Sequence, residues 1–373
     1  APVNARTDGV AGIIRTVPDD LVRPGLQALV DQSPHPTPAD IVDHQLRRTV
    51  GGQRELDPVH IIRRHDAVCL PRSVVDPTRL LPCVIRLVGV THAAAVPSVV
   101  RAVVAAAIAV AGAQKIPAFN YNNLTASGAR TTNSITFDNT GTVGTANTLS
   151  LTATFTSGNY ITTGNTIDYN GNAAQNIVAN TAQFNYDNLT ISIPSGAASR
   201  TKTAAGNFTV GGNLVIQSNA GTNTCTLAPG GNNLTVNGTT NINAYGILND
   251  ATNGGTDIFT GTVIIAANGQ YLNSANSANE FRNGITNNGT FTKSGGGSSA
   301  FSTNSQTING ANVLTFSGGD FIISNPVSLD VSTNINFSGT NFTNNSNAAN
   351  AFNTTAGTFT FSPNAAQNIN GTG

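Results

Sequence analysis

Residues 119–125 read FNYNNLT and residues 184–190 read FNYDNLT, one heptapeptide met twice with a single Asn replaced by Asp. A second string, NAAQNI, stands at 172–177 and again at 364–369, with a weaker relative, SQTI, at 305–308. A chain that restarts every ~61–66 residues is built from units that bury their apolar sides on one another, not around private cores. Gln306 lies close to two such periods after Gln175, and Gln367 one period after Gln306.

Within each unit the apolar residues come as short alternating pairs: Phe208/Val210, Leu214/Ile216, Leu234/Val236, Phe321/Ile323, Val327/Leu329/Val331, Ile335/Phe337 and Phe359/Phe361. Alternation with period two puts both members of a pair on one side of a strand. Gly, Asn, Ser and Thr fill the intervals, and these residues accept tight turns and left-handed backbone. The helix period is absent from 115 onward, so the expectation is an all-β chain of short strands. The interval from Leu214 to Leu234 suggests coils of about 20 residues. About a dozen such coils would make a column about 60 Å long. The predicted fold is a β-solenoid, a parallel right-handed β-helix; an array of small β-sandwich repeats is the alternative. Asn is expected at left-handed corners and in side-chain ladders running up the stack.

This grammar does not extend over the whole chain. Residues 1–114 hold all five His and twelve Arg, but no Lys and one Asn, Asn4. Residues 115–373 hold 47 Asn, no His and eight acids. The change falls at RAVVAAAIAVAGAQ, residues 101–114, where Arg101 precedes eleven small or apolar residues, Val103 to Ala113. A positive residue, a short apolar run and A-G-A make the pattern of a secretory signal peptide cleaved after Ala113. The run is too short to span a bilayer as a helix, and a buried Ala/Val-rich helix is the alternative reading. The chain divides into a segment 1–95, a signal-peptide-like segment 96–113, and Asn/Gly/Thr-rich repeats over 114–373. Segment 1–95 reads either as a mis-extended reading frame or as a small helical region. Thr37–Asp40 and Gly51–Gly52 carry the start and stop signals of one helix. The absence of Met, and a final repeat that halts at NINGTG, point to a fragment truncated at its C-terminus.

The alternation of D-Y-N-G (168–171), A-Q-N-I (174–177), Y-D-N-L-T (186–190) and G-N-L-V-I (212–216) resembles the repeats of large secreted, adhesin-like bacterial surface proteins. The resemblance covers about 115–373 and implies export through a cleaved signal peptide and a structural role.

Little in the repeats suggests chemistry. Their acids are Asp138, Asp168, Asp187, Asp250, Asp257, Glu280, Asp320 and Asp330, with no two at i, i+2. Their bases are Lys115, Arg130, Arg200, Lys202, Arg282 and Lys293. A polysaccharide lyase or hydrolase would need clustered carboxylates. His60, His65 and Cys69 point to different faces of any helix and suit a metal poorly. Asn253–Asp257 (NGGTD) is a single, incomplete match to calcium-binding nonapeptides. The T-x-T runs Thr152/Thr154/Thr156, Thr290/Thr292 and Thr358/Thr360 share no evident rung. No catalytic, cofactor-binding or metal-binding residue is therefore assigned, and no cofactor is expected. With zero formal net charge and no basic stripe, nucleic acid is not an expected partner. The expected function is a non-enzymatic, secreted or cell-surface protein acting in adhesion or as a stalk. Its partners would be surface glycans or other matrix components, met as a monomeric rod or as part of a larger chain. A carbohydrate-active β-helix enzyme is the alternative. Carboxylates clustered on one flank would favour that enzyme, and a flank of Asn, Ser and Thr would count against it.

Overall fold

The computed structural model describes residues 102–107 (backbone only), 113–130, 133–362 and 366–372. Segment 1–95, with its helix signals and the His60/His65/Cys69 group, lies outside the described residues. So does most of the apolar run, apart from a strand at Ala102–Ala107 that pairs in parallel with Asn120–Ser127.

Every strand pairing between residues 102 and 371 is parallel. The fold is a β-solenoid of stacked coils, each contributing one strand to each of three faces. In one coil, Asn188–Ile193 lies on the first face, Arg200–Ala204 on the second and Phe208–Val210 on the third. The chain then returns to the first face at Leu214–Ser218, directly beside Asn188–Ile193. The three faces hold 12, 9 and 8 strands. Two smaller ladders, one joining Gln114–Ile116, Ile135–Phe137 and Tyr160–Ile161, close the earliest coils before the three faces settle. Eleven steps of the longest ladder make a column of about 50 Å. The sandwich alternative fails, because it needs antiparallel sheets.

Coil length varies upward from the expected length of about 20 residues. The register steps from Gln270 to Thr290 and from Asn279 to Ser299 are 20 residues, those along Leu189, Leu214, Thr240, Val263 and Ile285 are 22–26, and that from Gln175 to Lys202 is 27. The interval from Leu214 to Leu234 joins the first face to the third, not one coil to the next. The step from FNYNNLT to FNYDNLT spans three coils, from Asn120–Ser127 to Asn188–Ile193 on the first face.

Stacking makes every inward position a column. On the first face Tyr169, Ile191, Ile216, Ile242 and Ile265 stand in consecutive rungs, all buried. On the third, Phe259, Phe281 and Phe301 stack with ring centroids 5.5 and 5.4 Å apart, and Phe321 and Phe342 stack 5.6 Å apart in the neighbouring column, above Ser299. Identical residues above one another let rings meet face to face, worth about 0.5–1.5 kcal/mol per pair beyond burial.

Asn takes one of its two expected parts more than the other. Among the described residues, Asn268 and Asn350 are the Asn with positive φ; glycines take most such corners. Elsewhere the carboxamide oxygen accepts a backbone N–H from the coil above. Asn188 accepts from Asn213, and Asn213 from Thr239 (both 2.9 Å). Asn207 accepts from Asn233, and Asn233 from Thr256 (both 2.8 Å). Carboxamide-to-carboxamide contacts also occur, as from Asn147 to Asn122 (2.7 Å). A corner between strands leaves its N–H groups without ladder partners, and Asn supplies an acceptor from the neighbouring coil.

Candidate functional site

The repeated Gln strings explain how the corners are pinned. Gln175 lies on the second face (Gln175–Ile177), Gln306 on the first (Gln306–Asn309), and Gln367 just before the third-face strand Asn368–Gly371. Neither interval between them is a whole number of coils, so each copy lands on a different face. The copies are not one piece of a fixed unit. They share a bonding role instead. Gln175 Nε2 donates to the carbonyls of Thr145 (2.8 Å) and Asn147 (3.0 Å). Gln306 Nε2 donates to Phe281 (2.7 Å) and Ser302 (2.9 Å), and Gln367 Nε2 to Gly339 (2.8 Å) and Phe337 (3.4 Å). The amide oxygens of Gln175 and Gln306 each accept a glycine N–H, from Gly171 and Gly284 (both 3.0 Å). Gly284 adopts φ +82° and its missing Cβ would meet the Thr307 carbonyl at 2.2 Å, so no other residue fits that turn.

Two polar knots lie inside the stack. In the first, Lys202 stands directly above Gln175 in the second-face ladder. Its Nζ donates to the carbonyls of Gly171 and Ala173 (both 2.7 Å) and to Gln175 Oε1 (2.6 Å). An ammonium has three N–H groups, and all three are taken. Burial pushes Lys202 down to about 8, opposed by the nearby Cys225 and Asp168. Burial likewise lifts Asp168 to about 6 and the Cys225 thiol to about 12.

The second knot fills the corner between the second and third faces. Asp250, Asn273 and Lys293 occupy consecutive rungs of one column. Asp257, Asn279 and Ser299 occupy consecutive rungs of the facing one. Asn273 Nδ2 donates to Asn279 Oδ1 (3.0 Å) and Asp250 Oδ2 (3.4 Å), while Lys293 Nζ donates to the carbonyls of Gly295 (2.7 Å) and Ala275 (3.2 Å). Both Asp257 oxygens, Asp250 Oδ1, Asn273 Oδ1, Asn279 Nδ2, Ser299 Oγ and the Tyr271 hydroxyl are buried without a hydrogen-bond partner. Burial raises Asp250 and pushes Asp257 well above the ordinary carboxylate range. It lowers Lys293 to about 8.

The other acids are dispersed. Asp138 pairs with Lys115 (3.1 Å), and the backbone N–H of Thr140 is the main cause holding its carboxyl below the usual range. Glu280 takes a two-pronged bond from Arg282 (2.8 and 3.0 Å). Asp187 accepts from Gly164 N (2.7 Å), Asp320 from Asn341 (2.7 Å) and Asp330 from Asn353 (3.4 Å). Among the described residues no three acidic, His or Cys side chains gather so as to hold a metal ion. The NGGTD stretch is a coil corner: Gly254 and Gly255 turn with positive φ, Asn253 accepts from Asn276 N (2.8 Å), and Asp257 faces inward.

On the outside, one second-face ladder carries Leu272, Thr292, Thr315, Asn336 and Thr360 in successive rungs. Thr292 and Thr360 thus do share a column, contrary to expectation. A groove of about 230 Å³ is lined by Asn180, Asn207, Phe208, Thr209, Asn233 and Thr235.

Sequence reasoning missed that Lys202, Asp250, Asp257 and Lys293 point inward. The signal was parity. Asp250 lies two residues from buried Leu248, Asp257 two from Phe259, Lys293 two from Phe291 and Lys202 two from Ala204.

Comparison with known proteins adds no relative: no protein-family model, no curated protein and no solved structure matches the chain.

Proposed function

We propose that this protein is an exported, non-enzymatic component of a cell surface or extracellular matrix, acting by adhesion or as a stalk. The supporting observation is the outer surface of the solenoid. Polar Thr and Asn side chains recur there at strand spacing, as in the ladder Thr292, Thr315, Asn336 and Thr360. The carboxamide- and hydroxyl-lined groove at Asn180–Thr235 has the same character. Such positions offer hydrogen bonds to hydroxyl-rich glycans one after another, so that weak contacts add into avidity. Among the described residues no helix is long and apolar enough to cross a membrane. Export would proceed through the 96–113 segment, with the mature chain starting at Gln114.

The test is to express the full chain with its own leader, fractionate the cells and sequence the N-terminus of the exported product. Surface or medium localisation, a start at Gln114, and retention on immobilised glycans that rises with ligand density are expected. Retention in the cytosol refutes export. Release of new reducing ends or unsaturated sugars from polysaccharide replaces the reading with a carbohydrate-active enzyme.

A further inference from the structure

The corner knot of Asp250, Asp257 and Lys293 is the least satisfied region of the described interior, and its charges do not cancel. Asp257 is 1% exposed and neither of its oxygens has a hydrogen-bond partner. The titratable groups facing it are Asp250 and Tyr271 on the second face and Lys293, two rungs above Asp250. Along its own face it is stacked between Leu234 and Asn279, with Phe259 beside it. If both carboxyls were ionised, one ammonium would face two anions in an apolar interior. If Asp257 keeps its proton, Asp250 and Lys293 balance. A carboxylate without hydrogen bonds in such surroundings neutralises instead of staying charged.

We infer that Asp257 is carried as a carboxylic acid within the stack, and that its ionisation on raising the pH releases this corner. Loss of the proton leaves an uncompensated negative charge between rungs Gly246–Asp250 and Gln270–Asn273 on one side and Thr256–Phe259 and Ala278–Phe281 on the other. These coils then open locally, while coils without a buried charge, such as those over 321–344, stay closed. Burial, with the Asp250 charge added, holds the proton on Asp257 to higher pH than in the unfolded chain. Stability from this group is therefore fully present below the unfolded value of 3.8 and is lost as pH rises through the folded value. At its steepest the local closing constant falls about tenfold per pH unit, the limit for one proton.

The experiment is hydrogen exchange of the full chain read by mass spectrometry from about pH 5 to about pH 9, corrected for intrinsic exchange, with infrared spectroscopy alongside. Peptides from 246–281 should lose protection as pH rises, and those from 321–344, where no charged side chain is buried, should not. Asp257→Asn keeps the shape but cannot ionise, and should flatten the profile of 246–281. At about pH 7, above the value of Asp168, the infrared carbonyl stretch of a protonated carboxyl should be stronger in the parent chain than in Asp257→Asn. Absence of that band from the parent, or the same pH profile in both proteins, overturns the inference. So does restored protection at high pH by sodium or calcium but not choline chloride, because the corner would then hold a cation. If Asp257→Asn does not fold, Asp257→Leu, which continues the column from Leu234, takes its place under the same readouts.

Discussion

The solenoid contains two buried lysines on the same face, and their surroundings are opposites. Lys202 gives each of its three protons to an oxygen, and Gln175 beneath it uses both ends of its amide. Lys293 gives two protons to carbonyls, beside carboxylates of which one has no bonded oxygen at all. Both knots interrupt an apolar column. A buried charge with complete bonding fixes one arrangement of its neighbours, because any slip leaves three acceptors bare. A buried charge with incomplete bonding stores free energy that a proton or a substitution can release. The first knot works as a rivet and the second as a weak seam.

The contrast can be broken most directly by removing the rivet. Lys202→Ala strands the carbonyls of Gly171 and Ala173 and the Gln175 oxygen, and should cost about 3–5 kcal/mol in denaturant melts. A loss below about 1 kcal/mol would show the bonding to be incidental. Next is the Gln clamp. Gln306→Ala leaves Gly284 N and two carbonyls unpartnered in the interior, and should cost about 2–3 kcal/mol. Gln367→Ala removes a half-buried copy in the last described coil, where Ile369 is 70% exposed, and should cost less than about 1 kcal/mol. Equal losses would mean that burial does not set the clamp's worth. At the seam the sign reverses: Asp257→Leu should raise stability at pH 8 by about 1–2 kcal/mol, since an apolar side chain in line with Leu234 replaces a buried acid that makes no hydrogen bond. A strong destabilisation by Asp257→Leu would show that hidden partners satisfy the carboxylate. The corner bond is a comparably small effect. Asn213→Ala frees Thr239 N and should cost about 1 kcal/mol, seen as faster hydrogen exchange confined to the adjoining coils.

How much of this was legible follows from what alternation encodes. Pairs such as Phe208/Val210 and Ile335/Phe337 state that a strand exists and which side is buried, and both are buried strands. They do not state which face a strand joins, because all three faces use the same pattern. Hence Leu214 and Leu234 looked like one position repeated, although they sit on different sheets. The inward charges were hidden for a related reason: Lys202, Asp250, Asp257 and Lys293 occupy core parity, and residue type alone argues for the surface. For Asn, the expectation of bonds running up the stack holds, as from Asn233 to Asn207 and from Thr239 to Asn213, though they run from backbone N–H to carboxamide oxygen; the expectation of left-handed corners holds at Asn268 and Asn350.

Apart from the Lys202 ammonium above Gln175, the Gln clamp reaches backbone carbonyls and, in two copies, a glycine N–H, groups that any coil presents at any corner. It is therefore a portable part. A fragment carrying A-Q-N-I can be copied by an out-of-phase duplication, arrive on another side of the column, and still be useful on arrival. An array assembled from such parts tolerates copying errors that are not whole turns, so its growth is not tied to one fixed repeat length. The unequal spacing of Gln175, Gln306 and Gln367 is the trace such a history would leave. For protein engineering the same portability offers a short cassette whose placement needs no matched partner side chain.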